Sequence, residues 1–364
     1  MHIAFYGSSL LSSYWNGAAT YYRGLLSALA RQGHSITFYE PDAFDRQQHK
    51  DIEPPDWARV IVYAATPEGV RGVLADAGHA DLVVKASGVG VFDDELLSGI
   101  IAEAAPDALR IFWDVDAPAT LESLRAKADH PLHAALASLD LVLTYGGGPP
   151  VVAAYRGFGA RDCIPIYNAL DPSTHHPAPP DARFASDLCL LANRLPDREA
   201  RIEQFFLSPA AMLPGRRFLL GGAGWHDKPV PPNVRAIGHV PTAAHNSFNA
   251  SARAVLNVAR DSMADVGFSP ATRVFEAAGA GACLITDAWD GIELFLEPGS
   301  EILVARDGAD VAEHIAGLTT ERAQAIGARA LRRVLREHTY EQRAATVHQV
   351  LSDAILRKRE ARAA

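Results

Sequence analysis

A doubly wound α/β architecture in two domains is what this sequence predicts, on three observations. Short apolar, β-branched runs recur along the whole chain and alternate with stretches of helical period. Glycine- and proline-bearing turns separate them. The chain has 364 residues of which 48% are hydrophobic, enough for two sizeable cores. The expected domains are residues 1–172 and 173–340, parted by a polar, proline-rich linker.

MHIAFYG opens the chain as a strand over residues 2–6, and a long polar-aromatic loop then leads to a helix ended by Gly33. SITFYE is the second strand. No G-x-G-x-x-G follows the first strand, which argues against a dinucleotide cofactor. Ser8, Ser9, Tyr14, Trp15, Asn16 and Gly17 lie in that loop at a strand's carboxyl end, where open α/β sheets bind ligands; a loop with a structural role alone is the alternative.

ARVIVYA, DLVVKASG, LRIFWDVD and LDLVLTYG are four further strands, with helical stretches near 67–77, 92–105, 119–127 and 131–138. Lys85, Ser87 and Gly88 end one of them. Asp114 and Asp116 end another, and Pro118 and Thr120 open the next helix. Carboxylates two apart on an extended strand face one side and repel unless they share a cation, a proton or substrate hydroxyls. The alternative is one helix cap and one solvated acid. Two ligands are too few for a metal site, so none is expected.

CIPIYNALDPSTHHPAPPDARF is a strand running into the linker, where His175 and His176 are adjacent and so point apart. DLCLLANRLPDREARIEQFF reads as strand, loop and helix; Arg194 and Arg198 lie beyond the strand end, where basic groups can hold a diphosphate. RRFLLGGAGW gives a strand and a glycine loop around Gly222, suited to close backbone approach to a nucleobase. His239 and His245 read as solvated or core histidines.

The densest set of special residues runs from Leu256 to Ala305. AVLNVAR is a strand, and Gly267, Ser269, Pro270 and Thr272 supply turn and helix-start chemistry for a helix from Arg273 to Ala280. ACLITD and EILVA are the next strands, with a short helix over Ile292 to Leu296 between them. A helix starting there aims free N–H groups and its positive dipole end at the crevice, which suits a phosphate. Arg273 in its first turn is disfavoured by the dipole unless an anion is near, and Glu276 follows one turn later. Phosphate and hydroxyl recognition is one reading of that pairing; a surface ion pair is the other.

The balance of 34 basic and 43 acidic residues gives a net charge of −9, so a nucleic-acid partner lacks its electrostatic footprint. Three cysteines without metal-ligand spacing read as reduced core thiols. No run reaches the roughly 20 apolar residues of a membrane span. No leader pattern precedes the first strand, which predicts a cytoplasmic location. The terminal LRKREAR segment could touch anionic lipid peripherally or be a solvated helix end.

The string RVFEAAGAGACLITDAWDGIELFLEPGSEILVA resembles the C-terminal half of the spore-maturation-protein-B-like (CgeB-like) glycosyltransferases, a group similar to retaining glycosyltransferase family four. The resemblance implies a GT-B fold, two Rossmann-like domains facing across a cleft, with the final helix, 341–364, crossing back to the first domain. It implies transfer of a sugar from a nucleotide-diphosphate sugar to a glycan, glycoconjugate or small-molecule acceptor, with retention and with neither metal nor cofactor. Glu276 matches the family glutamate that holds the donor ribose, and Arg194 matches the diphosphate arginine. Two positions depart: Phe268 stands where the family has a second glutamate, and no lysine follows Arg194, leaving Arg198 or Arg201 near that place. Arg194, Arg273 and backbone N–H groups near Gly267, Ser269 and Pro270 would hold the diphosphate. Asp114 or Asp116 would orient or deprotonate the acceptor, and Tyr14 to Gly17 with Lys85 would lie on the acceptor side. A sugar-nucleotide isomerase or hydrolase, and a non-catalytic nucleotide-sugar binder, are the competing functions for one fold.

Overall fold

The structure is a computed structural model that describes residues 1–363, and it divides into two compact units. The first comprises Met1–Tyr167 together with the described residues from Tyr340 onward; the second is Asn168–Thr339. The second unit therefore begins five residues before the expected 173. The reason lies in residues 168–172: Leu170 N–H donates to His338 O at 2.8 Å, and Asn168 Nδ2 donates to Pro270 O at 2.9 Å.

The first unit is a seven-stranded sheet. Its strands are β1 His2–Tyr6, β2 Ser35–Asp42, β3 Ala58–Ala64, β4 Leu82–Ala86, β5 Leu109–Asp114, β6 Leu141–Thr144 and β7 Cys163–Pro165. Their order is β3-β2-β1-β4-β5-β6-β7, all parallel. Strands covered by helices on both faces are read in sequence as near-continuous apolar runs, as β1, β4, β5 and β6 are, whereas the edge strand β3 is for the most part exposed or half-buried. Phe5, Phe38, Tyr22 and Trp113 fill one face of the core, with ring centroids 5.2–5.8 Å apart around Phe5. The last helix, Tyr340–Ala363, packs on the helix Ala19–Arg31. Gly24 permits that approach, since a Cβ there would lie 2.2 Å from Tyr340 Cδ2. Arg31 pairs with Glu341, and Lys358 Nζ donates to Asp140 Oδ2 at 2.6 Å.

The second unit has six strands. They are β8 Ser186–Leu191, β9 Phe218–Gly221, β10 Val234–Gly238, β11 Ala252–Asn257, β12 Leu284–Asp287 and β13 Leu303–Ala305. Their order is β10-β9-β8-β11-β12-β13, again all parallel. Leu188, Leu256, Phe206, Phe218 and Ile285 lie in its buried core. Each sheet therefore reverses its winding once, between β1 and β4 in the first unit and between β8 and β11 in the second. Open α/β sheets bind ligands outside the carboxyl ends of the strands at such a reversal. No helix among the described residues is long and apolar enough to cross a membrane.

Candidate ligand sites at the carboxyl edges

At the β8–β11 reversal the chain after β11 forms a short helix, Asp261–Val266, which Gly267 ends at φ 72°. The loop 267–271 then leads into the helix Thr272–Gly279. Ala271, the residue before this helix, is extended and no side chain caps it, so the first-turn amides stay available to an anion. Ser269 does not face outward as a cap; its Oγ donates to Gly267 O at 2.9 Å.

Arg273 and Glu276 do pair, with Nη1 3.5 Å from Oε2, but the pair is no surface one: the side chains are 18% and 12% exposed. Arg273 Nη1 is buried and makes no aligned hydrogen bond. Burial would raise the Glu276 carboxyl, but Arg273, the His175 and His245 rings and the Thr272 hydroxyl outweigh it and hold it below the usual range. Glu276 is thus a largely buried carboxyl whose charged form its neighbours favour. His245, pushed down to about 4 by burial, with Arg273 acting in the same direction, has its Nε2 3.2 Å from Val240 O. The buried His175 lies with its ring centroid 6.4 Å from that of His245. Both histidines were read as linker, solvated or core residues; the fold gathers them around Glu276. The only sequence signal was the linker's position, since nothing in the spacing of His175 and His245 predicts their meeting.

The basic groups after β8 are already paired. Arg194 forks onto Glu199 at 2.8 and 2.9 Å and reaches Asp227 at 2.9 Å. Lys228, which the sequence reading passed over, donates to Glu199 at 2.8 Å and also pairs with Glu203. Arg194 first and Lys228 second hold the Glu199 carboxyl down at about 2. Arg198 Nη2 donates to Asn193 O at 3.2 Å, and Arg201 binds the fully buried Asp287 at 2.5 Å and Asp261 at 3.2 Å. Gly222, at φ 119°, has a structural reason to be glycine: a Cβ would lie 2.1 Å from Ala192 O. Phe268 holds φ 49°, a left-handed conformation bulky residues rarely adopt. Its N–H donates to Asp290 O at 2.6 Å, and its ring covers Gly291.

In the first unit four of the expected site residues, Asp114, Asp116, Lys85 and Asn16, lie in surroundings that their sequence positions do not predict. Asp114 is completely buried: its Oδ1 accepts from Ser87 Oγ at 2.7 Å, Asp116 N at 3.0 Å and Thr120 Oγ1 at 3.0 Å, and its Oδ2 from Tyr155 Oη at 2.5 Å. Burial raises its pKa against those four donors. It ties three segments together inside the first unit. Asp116 has left the strand, since β5 ends at Asp114, so the two acids do not share a strand face; nor does its side chain cap the helix Ala117–Ala126. Lys85 is 4% exposed and ion-paired to Asp93, with its ammonium 5.7 Å from the Phe112 ring. Asn16 is also buried: it accepts from Ser8 Oγ and donates to Ser9 O and Ser12 O, clasping the loop rather than facing a ligand. Tyr14, Trp15 and Gly17 are exposed.

Comparison with known proteins agrees with this architecture. A family model described as "Glycosyl transferase-like" matches residues 198–349. Anabaena HepE, solved in complex with UDP and glucose, superposes with a TM-score of 0.69 at 14% identity, covering 97% of this chain and 100% of that one. Sucrose-phosphate synthase from Thermosynechococcus elongatus gives 0.69 at 15% identity, covering 97% and 98%. An Escherichia coli structure described as trehalose-6-phosphate bound with UDP-2-fluoro glucose gives 0.67 at 10%, covering 96% and 99%. No curated protein matches the sequence. The fold is that of the GT-B glycosyltransferases.

Proposed function

We propose that this protein is a glycosyltransferase that moves a sugar from a nucleotide-diphosphate sugar to an acceptor carrying a hydroxyl. The observation that carries the reading is the ionised, largely buried Glu276 one turn into an uncapped helix at the β8–β11 reversal, with Arg273 beside it. A largely buried carboxylate can accept from both vicinal hydroxyls of a ribose, and the helix N-terminus with a guanidinium suits the diphosphate. The bond from the anomeric carbon to the phosphate oxygen breaks, the nucleoside diphosphate leaves with the electron pair, and an acceptor oxygen bonds that carbon as its proton is lost. Retention without a metal is carried forward from the resemblance; on this reading Arg273 and the first-turn amides stabilise the departing charge.

Arg194 enters as an exchangeable ligand, because a diphosphate must compete with Glu199 and Asp227 for it. With Asp114 buried, no acceptor-side base is assigned in the first unit. The neighbours solved with UDP, glucose or UDP-2-fluoro glucose favour a UDP-sugar as the first donor to try. A panel of UDP-, GDP-, ADP- and dTDP-sugars in thermal denaturation tests the reading: a donor at a hundred times its Kd adds about 2.7 kcal/mol to stability. No shift with any member would overturn it. A shift with turnover to an isomer or free sugar alone would favour the isomerase or hydrolase, and a shift without turnover the binding protein.

A further inference from the structure

The fork of Arg201 joins parts of the second unit that lie far apart in sequence. From the helix Pro196–Ile202 it donates through Nη2 to Asp287 Oδ2 at 2.5 Å and through Nη1 to Asp261 Oδ1 at 3.2 Å. Asp287, the last residue of β12, is fully buried; its Oδ1 accepts from Ala259 N at 3.0 Å and from Thr286 Oγ1 at 3.2 Å. Thr286 Oγ1 in turn accepts at 3.0 Å from Nδ2 of Asn257, the last residue of β11. Asn257 and Ala259 are thus fastened to the end of β12, and Asp261, two residues on, is fastened to Arg201.

The chain that leaves this clamp is the one that faces the diphosphate on the proposed reading. Asp261 opens the helix Asp261–Val266, and after Gly267 the loop 267–271 runs directly into the uncapped helix Thr272–Gly279. A helix of six residues is too short to hold itself in place by propensity, so its position depends on its anchors. At its far end Phe268 N donates to Asp290 O at 2.6 Å; at its near end the anchors are Asp287 and Arg201. The Arg201 side chain is 18% exposed, with its guanidinium carbon 5.4 Å from the Phe205 ring centroid. A ligand that drew Arg201 away from Asp287 would strand a buried carboxylate, which costs far more than parting Arg194 from Glu199 and Asp227, 24% and 62% exposed. Of the two arginines, Arg194 is therefore the one free to exchange.

We infer that Arg201 and Asp287 are positioning residues for the proposed transfer: without touching the donor, they fix residues 258–261 and, through them, the loop 267–271 and the first-turn amides of the helix Thr272–Gly279. The inference rests on the glycosyl-transfer reading, and it gives Arg201 a different task from the one its place after Arg194 implies. Amides already in position bind a diphosphate without a further loss of backbone entropy. Loosening the clamp therefore acts on the charged part of the ligand and spares the nucleoside.

The test uses the full chain and the variants Arg201→Met, Arg201→Lys, Arg201→Met/Asp287→Asn and Asp261→Asn. Each is titrated by calorimetry with UDP, GDP, ADP and dTDP and with the parent nucleosides, and amide hydrogen exchange is followed over residues 258–272. Arg201→Met leaves Asp287 buried and unpaired and should unfold at a lower temperature; the double variant removes that charge too and should regain part of the loss. Both should exchange faster over 258–272 than the parent and bind the preferred diphosphate about tenfold more weakly, with its nucleoside unaltered. Arg201→Lys, which keeps a charge against Asp287, should lie between them and the parent. Asp261→Asn separates holding from contacting: a clamp that loses one arm weakens the diphosphate about two- to fivefold, whereas a guanidinium that touches phosphate loses a competitor and binds it more tightly. Equal or tighter binding by Asp261→Asn overturns the inference, as does a double variant whose affinity returns with its stability or whose exchange over 258–272 matches the parent's. A parent that binds none of the four diphosphates is the separate result that sinks the proposed function, and the positioning role with it.

Discussion

The two sheets end in edges of opposite character. Beyond β8 and β11 the edge is crowded with ions that neutralise one another: Arg194, Glu199, Asp227, Lys228 and Glu203 in one network, Arg201 with Asp287 and Asp261 in another, Arg273 with Glu276 in a third. Beyond β1 and β4, Glu40, Arg46 and Lys85 are all buried, and Tyr14, Trp15 and Phe44 are exposed beside Asp42, Asp45, Lys50 and Asp51. An edge of exchangeable ion pairs can take a diphosphate by swapping carboxylate for phosphate at little net cost in charge. One architecture used twice thus carries two different sets of loop side chains.

The sharpest way to break that contrast is at Glu276. Glu276→Gln removes an ionised acceptor while keeping the shape, and charged hydrogen bonds are worth about 1.5–3 kcal/mol, so donor affinity should fall roughly ten- to a hundredfold. Titration calorimetry with the donor found by thermal shift measures it. Unaltered affinity would reduce the Arg273–Glu276 pair to a packing feature.

Next in size is Asp114→Asn, which keeps volume but turns an acceptor of four hydrogen bonds into a group with one carbonyl and one amide. The amide would face Tyr155 Oη or the Ser87 and Thr120 hydroxyls, leaving at least one buried donor unmatched, at a cost of about 1–3 kcal/mol in stability. Chemical denaturation should show that loss with donor binding intact. A variant as stable as the parent but inactive would restore Asp114 to the chemistry.

Asp114 also shows where sequence reasoning stops. The strands, their order along the chain and the turn into the helix Thr272–Gly279 were legible, because buried parallel strands are apolar runs and turns need particular residues. Asp114 looked catalytic because its partners are invisible in sequence: Ser87 lies 27 residues before it and Tyr155 lies 41 after it. Lys228 gave no sequence signal for the same reason, since it meets Glu199 from 29 residues away, on the loop after β9. His175 and His245 reach Glu276 from the linker and from a short helix, His245–Ser251, neither marked by any local pattern. Local periodicity reports the scaffold; pairing across loops is set by the finished fold.

A smaller effect tests whether the ion pairs exchange. Arg194→Ala should weaken diphosphate ligands by at most about fivefold and leave a bare nucleoside unaffected, since partly exposed ion pairs are worth only about 0–1 kcal/mol. Glu199→Gln should have the opposite sign and tighten diphosphate binding, because it frees the guanidinium fork from its strongest competitor. If both substitutions weaken the diphosphate, Glu199 is orienting Arg194 for the ligand and the exchange picture is wrong.

The smallest effect is on acid stability, and it separates the units again. His245 in the second unit and His34 in the first are both pushed down to about 4, chiefly by burial. His34 is seconded by the chain's amino terminus and by His348, whose Nδ1 lies 3.0 Å from its Nε2. In the unfolded chain each would titrate near about 6.5. The unfolded state therefore binds protons first as pH falls: stability is fully present above about 6.5 and is lost progressively toward 4. His34→Gln and His245→Gln should each flatten the fall of the unfolding midpoint across that window. Only His245→Gln should also alter the pH dependence of donor affinity, because a proton on His245 acts on Glu276, whereas His34 lies in the unit without the donor edge. Donor affinity that responds equally to both substitutions would mean that the donor edge is not confined to the second unit, and the contrast between the two edges would fail with it.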